Sequence, residues 1–203
     1  MSNAPATIEL FYDYGSPFTY LLDTQIEHIA DAHGAVVKYR PMLLGGVFKA
    51  TGNRSPILEE CKPKAAYGSA HLQRLVSHYG VDFAFNESFP INTLQLMRVA
   101  HAALDTERFS QVHRAIFRGV WADNRNLGDA AEIAAVLKEA SADADALLAR
   151  ASEPTIKDAL RATTDEAVER GVFGAPTLFV DGEMYFGNDH LFLMVAALEA
   201  RAR

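Results

Sequence analysis

The chain has 203 residues, 49% of them hydrophobic and 22% charged, with a formal net charge of −7. That length suits one domain, or one domain carrying a large insertion, and the apolar fraction excludes a disordered chain. No stretch approaches the ~20 apolar residues of a membrane helix, no basic-then-apolar leader opens the chain, and no Lys/Arg cluster offers nucleic acid a footprint, so a soluble, cytoplasmic protein is expected.

Thr7 to Asp13 (TIELFYD) predicts a strand, with Ile8 and Leu10 alternating against Thr7 and Glu9. It breaks at Tyr14-Gly15-Ser16-Pro17. From there Phe18, Leu21, Leu22, Ile26, Ile29 and Ala30 recur at helical spacing until Gly34, with Ser16 able to cap the helix and Pro17 suited to its first turn. Ala35 to Arg40 (AVVKYR) predicts a second strand, and the connection length suits a parallel pair. From about Pro41 the chain changes character. Glycine-, proline- and lysine-bearing loops come first, followed by helices at Asn92 to Leu104, Glu107 to Val120, Ala130 to Ala140 and Asp143 to Ala151. A further helix runs from Pro154 to Arg170. Ala175 to Val180 and Glu183 to Phe186 then predict a hairpin turning at Asp181-Gly182, and a last helix from His190 to Ala202 takes Asn188 or Asp189 as its cap. The order resembles that of an α/β, thioredoxin-like fold with a large all-helical insertion, the insertion covering 44–153 and the thioredoxin-like domain covering 1–43 and 154–203.

Chemistry is expected where the first strand gives way to the first helix. A helix N-terminus presents unpaired N–H groups and a partial positive charge, and so stabilises an anion. In thioredoxin-like oxidoreductases a Cys-x-x-Cys motif sits there and its first thiolate uses that field. This chain reads Ser16-Pro17-Phe18-Thr19 and has a single cysteine, Cys61, so dithiol exchange is excluded. Ser16 is then either a plain helix cap or a hydrogen-bond donor to an external thiolate. Pro176, in Gly174-Ala175-Pro176-Thr177, stands where such folds commonly place a cis proline facing that helix start. The backbone of Ala175 is then placed to pair with an extended peptide.

Four blocks carry a wider resemblance. They are Tyr14-Gly15-Ser16-Pro17-Phe18-Thr19-Tyr20-Leu21, the segment from Leu43-Leu44-Gly45-Gly46 to Lys49-Ala50-Thr51-Gly52-Asn53, Phe89-Pro90-Ile91-Asn92-Thr93 with Arg98, and Gly171-Val172-Phe173-Gly174-Ala175-Pro176-Thr177 through Phe186-Gly187-Asn188-Asp189. In this order they resemble the 2-hydroxychromene-2-carboxylate isomerases, in the kappa-class glutathione transferase branch of the DsbA-like thioredoxin superfamily. The resemblance implies a glutathione-dependent isomerase. Ser16 would hold and activate the glutathione sulfur, with Pro17 and Phe18 lining the pocket. Asn53 would reach the bound tripeptide or substrate, Ala175 would grip glutathione through its backbone, and Asn188 and Asp189 would bind its γ-glutamyl end. Lys49 would lie on the substrate side, where a lone loop lysine is also simply solvated. After Phe-Gly-x-Asp many relatives carry arginine, whereas this chain has His190, a departure that bears on glutathione grip or substrate choice.

The implied reaction is reversible addition of the glutathione thiolate to an unsaturated aromatic keto acid, rotation about the resulting single bond, and release of the recycled thiol. The implied partners are glutathione, a small aromatic carboxylate and a second copy of the chain in a homodimer. A kappa-type transferase that conjugates electrophiles and a non-catalytic binding module are the competing readings. No metal site is expected, because the seven histidines form no paired spacing on one helix face and no His-Glu-x-x-His occurs. Nothing marks Cys61 as a nucleophile, and Gly45-Gly46 lacks the spacing of a phosphate loop.

Overall fold

The computed structural model describes residues 5–201. Strand β1 (Ala6–Tyr12) is the centre of a four-stranded sheet ordered β2-β1-β3-β4, with β2 (Ala35–Pro41) parallel to it and β3 (Thr177–Val180) antiparallel. Because β1 is covered on both faces, its alternate residues enter two apolar clusters. Ile8, Leu10 and Tyr12 pack with Leu21, Leu22 and Ile26 of helix α1 (Pro17–Ala32), while Phe11 meets Val47, Ala167 and Phe179 on the other face. Strand β4 (Glu183–Phe186) completes the sheet. It follows a two-residue turn in which Asp181 and Gly182 both take positive φ, as Asp-Gly hairpins require.

Between β2 and β3 lie α2 (Leu44–Thr51), a 3-10 turn (Pro56–Leu58), α3 (Lys62–Tyr79), α4 (Leu94–Ala103), α5 (Phe109–Trp121), α6 (Ala130–Glu139), α7 (Ala144–Ala151) and α8 (Pro154–Glu169). The thioredoxin-like fold with inserted helices is therefore present, and two helices stand where loops were expected. Helix α3 escapes a periodicity reading because Leu72 is its one fully buried residue. Helix α2 opens through Leu44-Gly45-Gly46, whose two glycines are poor helix formers, and is held from outside, as described below. A further difference lies at the end of the chain. Asn188–His190 form a 3-10 turn and α9 (Leu191–Arg201) begins after it, so neither Asn188 nor Asp189 is a simple cap. Ala202, the expected last residue of that helix, lies outside the described residues.

On the α8 side of the sheet, Glu9 sits among Arg40, Arg170 and Lys38, and the Arg170 guanidinium lies 3.9 Å from the Phe179 ring centroid. Burial raises the Glu9 carboxyl pKa, but the hydrogen bond and charge of Arg170, with Arg40, outweigh it and hold the group below its usual value. The folded-state value lies below the unfolded one, so this contribution is present above the unfolded pKa and is lost as pH falls through the folded one. Urea unfolding of wild type and Glu9→Gln between about pH 3 and 6 is expected to show the wild-type advantage shrinking with acid; a constant difference would contradict it.

Candidate active site

Ser16 is presented by a turn that buried polar groups fix from several sides. Asp13, at the end of β1, is buried and accepts hydrogen bonds from Gly15 N (2.8 Å), Leu44 N (2.8 Å) and Thr93 Oγ1 (3.0 Å). One carboxylate thus ties the turn to the starts of α2 and α4, and it supplies α2 with the cap its own sequence lacks. Burial pushes the Asp13 carboxyl pKa up, although all three donors oppose the shift. Gly15 suits a close approach, because a Cβ there would lie 3.1 Å from Thr93 Cγ2 and 3.3 Å from Asp13 Oδ1, and those side chains would have to give way.

Tyr14 is anchored too. Trp121 Nε1 donates to its carbonyl at 2.7 Å. Its phenol meets His113 Nδ1 at 3.0 Å, and His113 Nε2 reaches Asp23 Oδ1 at 2.8 Å. The Asp23 carboxylate accepts from Nε2–H, which leaves Nδ1 to accept from the Tyr14 hydroxyl.

The Ser16 side chain is buried and does two things at once. Its Oγ accepts from Thr19 N at 3.2 Å, which is the capping role, and donates to Ala175 O at 2.9 Å. The Ala175-Pro176 bond is cis, as is Phe89-Pro90. One helical turn on from Ser16, the Thr19 hydroxyl is buried with no hydrogen-bond partner among the described residues.

The other expected residues gather at different distances from this point. Asn188 donates from Nδ2 to Phe18 O at 2.9 Å and accepts from Tyr79 Oη at 3.2 Å, so its side chain is spent bridging α1 and α3 rather than capping α9. Asp189 is exposed, and its Oδ1 lies 2.9 Å from His71 Nε2. Asn53, beyond the end of α2, donates to Phe173 O at 2.7 Å and so stands beside the segment that leads into Ala175. Lys49 is exposed on α2 and makes no ion pair among the described residues. Clefts of about 330 Å³ and 290 Å³ open elsewhere. The first includes Asp23 and Glu27 and the second Arg98 and Lys157, and Ser16 lines neither. Sequence reasoning missed Asp13, His71, Tyr79 and His113. Asp13 borders the Ser16 block, but its partners Leu44 and Thr93 lie 31 and 80 residues on, and His71, Tyr79 and His113 meet Asp189, Asn188 and Tyr14 from far along the chain.

Residues 7–199 match the family described as a DSBA-like thioredoxin domain. Among curated proteins, a 2-hydroxychromene-2-carboxylate isomerase of Sphingobium xenophagum is 31% identical over 185 residues, covering 91% of this chain and 94% of that protein. The chain belongs to the 2-hydroxychromene-2-carboxylate isomerase family of DSBA-like thioredoxin proteins. A solved structure of a 2-hydroxychromene-2-carboxylate isomerase superposes with a TM-score of 0.86 at 26% identity, over 97% of this chain and 96% of that one. The human glutathione S-transferase kappa 1 is 29% identical over 98% of this chain and 93% of its own length. In this member of the isomerase family the four resembling blocks meet in space. Leu44 and Thr93 converge on Asp13, and Ala175 meets Ser16.

Proposed function

We propose that the protein is a glutathione-dependent cis/trans isomerase of 2-hydroxychromene-2-carboxylate or a related unsaturated aromatic keto acid. The observation that carries this reading is the 2.9 Å contact between the Ser16 hydroxyl and the Ala175 carbonyl across the start of α1, in a chain whose redox positions hold no sulfur. The residues present fit glutathione. The Ser16 hydroxyl is a buried donor whose present acceptor is a neutral carbonyl, and a hydrogen bond to a thiolate is about twice as strong as a neutral one. When bound, glutathione would supply a thiolate nucleophile that adds to the unsaturated carbon and later leaves.

Ser16 turns its proton from Ala175 O toward the incoming sulfur while its Oγ goes on accepting from Thr19 N. Pro17 has no N–H, so the first N–H that α1 could offer a bound sulfur is that of Phe18. Ala175 would offer its backbone to the tripeptide chain, and Asn53, Asn188 and Asp189 are assigned to its ends. Lys49 is assigned to the substrate carboxylate. A free thiol has a pKa of ~8.5, and lowering it by two units takes ~2.7 kcal/mol. A hydrogen bond to a charged group contributes ~1.5–3 kcal/mol and a helix terminus ~0.3–2 kcal/mol, so Ser16 and the α1 terminus suffice without a basic side chain.

Incubation with 2-hydroxychromene-2-carboxylate tests the reading. Turnover is expected only with glutathione, whose thiol titre stays constant. Stoichiometric loss of thiol would instead favour a conjugating transferase, the activity named in the kappa relative. No turnover, together with no thermal shift on adding glutathione, would leave a binding module.

A further inference from the structure

The cleft of about 290 Å³ lies where the start of α2 meets α4 and α8, at the lower end of the size of small-molecule sites. Leu43, Leu94 and Leu160 give it an apolar lining, and its charged residues are Arg98, Lys157, Arg161 and Asp165. The last three stand at i, i+4 and i+8 on α8 and so share one face of that helix. Three cations there meet one carboxylate.

Arg98 is the unusual member. It is half-buried, its Nε is closed off from solvent without a hydrogen-bond partner, and it forms no ion pair among the described residues. The other half-buried arginines, Arg40, Arg125, Arg150 and Arg170, each pair with a carboxylate. Lys157 is half-buried and also forms no ion pair among the described residues, while the exposed Arg161 reaches Asp158 at 3.3 Å. A partly buried charge is costly unless it is paired, and two such charges of one sign lining one cleft raise that cost.

We propose that this cleft binds a small organic carboxylate, an acid group on an apolar body, with Arg98 and Lys157 taking the acid and the three leucines the body. A guanidinium matches the two oxygens of a carboxylate with parallel N–H bonds, which a point charge does not. A bare inorganic anion would satisfy the cations and leave the leucine lining without a partner. Ser16 does not line the cleft, so the site stands independently of the glutathione reading. It adjoins the Asp13 tie all the same, because Leu43 and Leu94 are the chain neighbours of Leu44 and Thr93, whose donors Asp13 holds.

The test is calorimetric titration of the full chain with benzoate, with benzamide as its uncharged isostere, and with acetate, which has the acid without the ring. Benzoate is expected to bind at least about tenfold more tightly than benzamide, as a hydrogen bond to a charged group implies, and more tightly than acetate. Arg98→Met keeps an apolar stem without the charge and is expected to weaken benzoate about tenfold, whereas Lys49→Ala changes it by less than about twofold. Without any carboxylate present, Arg98→Met should melt at or above the wild-type temperature, because it removes a charge that no side chain pairs. A fall of several degrees would show that the guanidinium serves the fold and would overturn the proposal. Equal affinity for benzoate and benzamide, acetate binding as tightly as benzoate, or no benzoate binding by the wild type would overturn it as well. So would benzoate affinity lost in Lys49→Ala and kept in Arg98→Met, which would place the acid beside Lys49.

Discussion

Ser16→Ala is expected to lower kcat/KM by about 10- to 150-fold, the equivalent of the ~1.5–3 kcal/mol carried by a hydrogen bond to a charged sulfur. The protein would remain folded but lose some stability. The same hydroxyl caps α1 through Thr19 N and ties the turn to Ala175 O, and loss of a cap costs ~0.5–2 kcal/mol. At about 2–4 °C per kcal/mol for a chain of this size, the melting temperature should fall by only a few degrees. The two effects separate the roles of Ser16. A plain cap would show the stability loss with unchanged turnover at a temperature where both proteins are folded, and that result would remove Ser16 from the chemistry.

Asp13→Ala is expected to be more damaging to the fold than any change at Ser16. It strands the Gly15 and Leu44 N–H groups and the Thr93 hydroxyl, which now share one buried carboxylate. Each buried donor left unpaired costs ~1–3 kcal/mol, offset in part by no longer burying a charge, so a net loss of about 2–4 kcal/mol is expected. Urea unfolding measures it directly. A milder substitution isolates the charge. Burial lifts the Asp13 pKa above its unfolded value, so in the window between the two the folded state holds a proton that the unfolded chain has released. Its contribution therefore falls as pH rises from about 4 through the raised value. Asp13→Asn removes that slope, and the stability difference between wild type and Asp13→Asn should change with pH in this sense. A flat difference would contradict the assignment.

The parts of this fold that can be read locally are those with their own punctuation. Ser16-Pro17 opens α1, Gly34 closes the way to β2, and Asp181-Gly182 turns the hairpin, each by chemistry contained within a few residues. Helices α2 and α3 end on left-handed glycines, Gly52 and Gly80, but neither start has a side-chain cap. The first depends on a carboxylate 31 residues upstream, and the second lies half-exposed over the site with Leu72 as its buried residue. The site divides in the same way. The helix start at Ser16 is visible in its own tetrapeptide, but its partner Ala175 is 159 residues away, and Asn188 exchanges its local capping role for a bond to Phe18 O across 170 residues. His113, which steadies Tyr14 from 99 residues away, and His71 belong to no motif. Their significance arises only when tertiary packing brings α5 and α3 to the turn.

The claim at the centre of this account is that the reactive sulfur is borrowed and held as a thiolate at the start of α1. Titrating the ultraviolet thiolate absorbance of glutathione bound to the wild-type protein tests it most directly. The expected pKa is about two units below the ~8.5 of a free thiol, returning most of the way in Ser16→Ala. A bound thiol that titrates near ~8.5 in both proteins would contradict it.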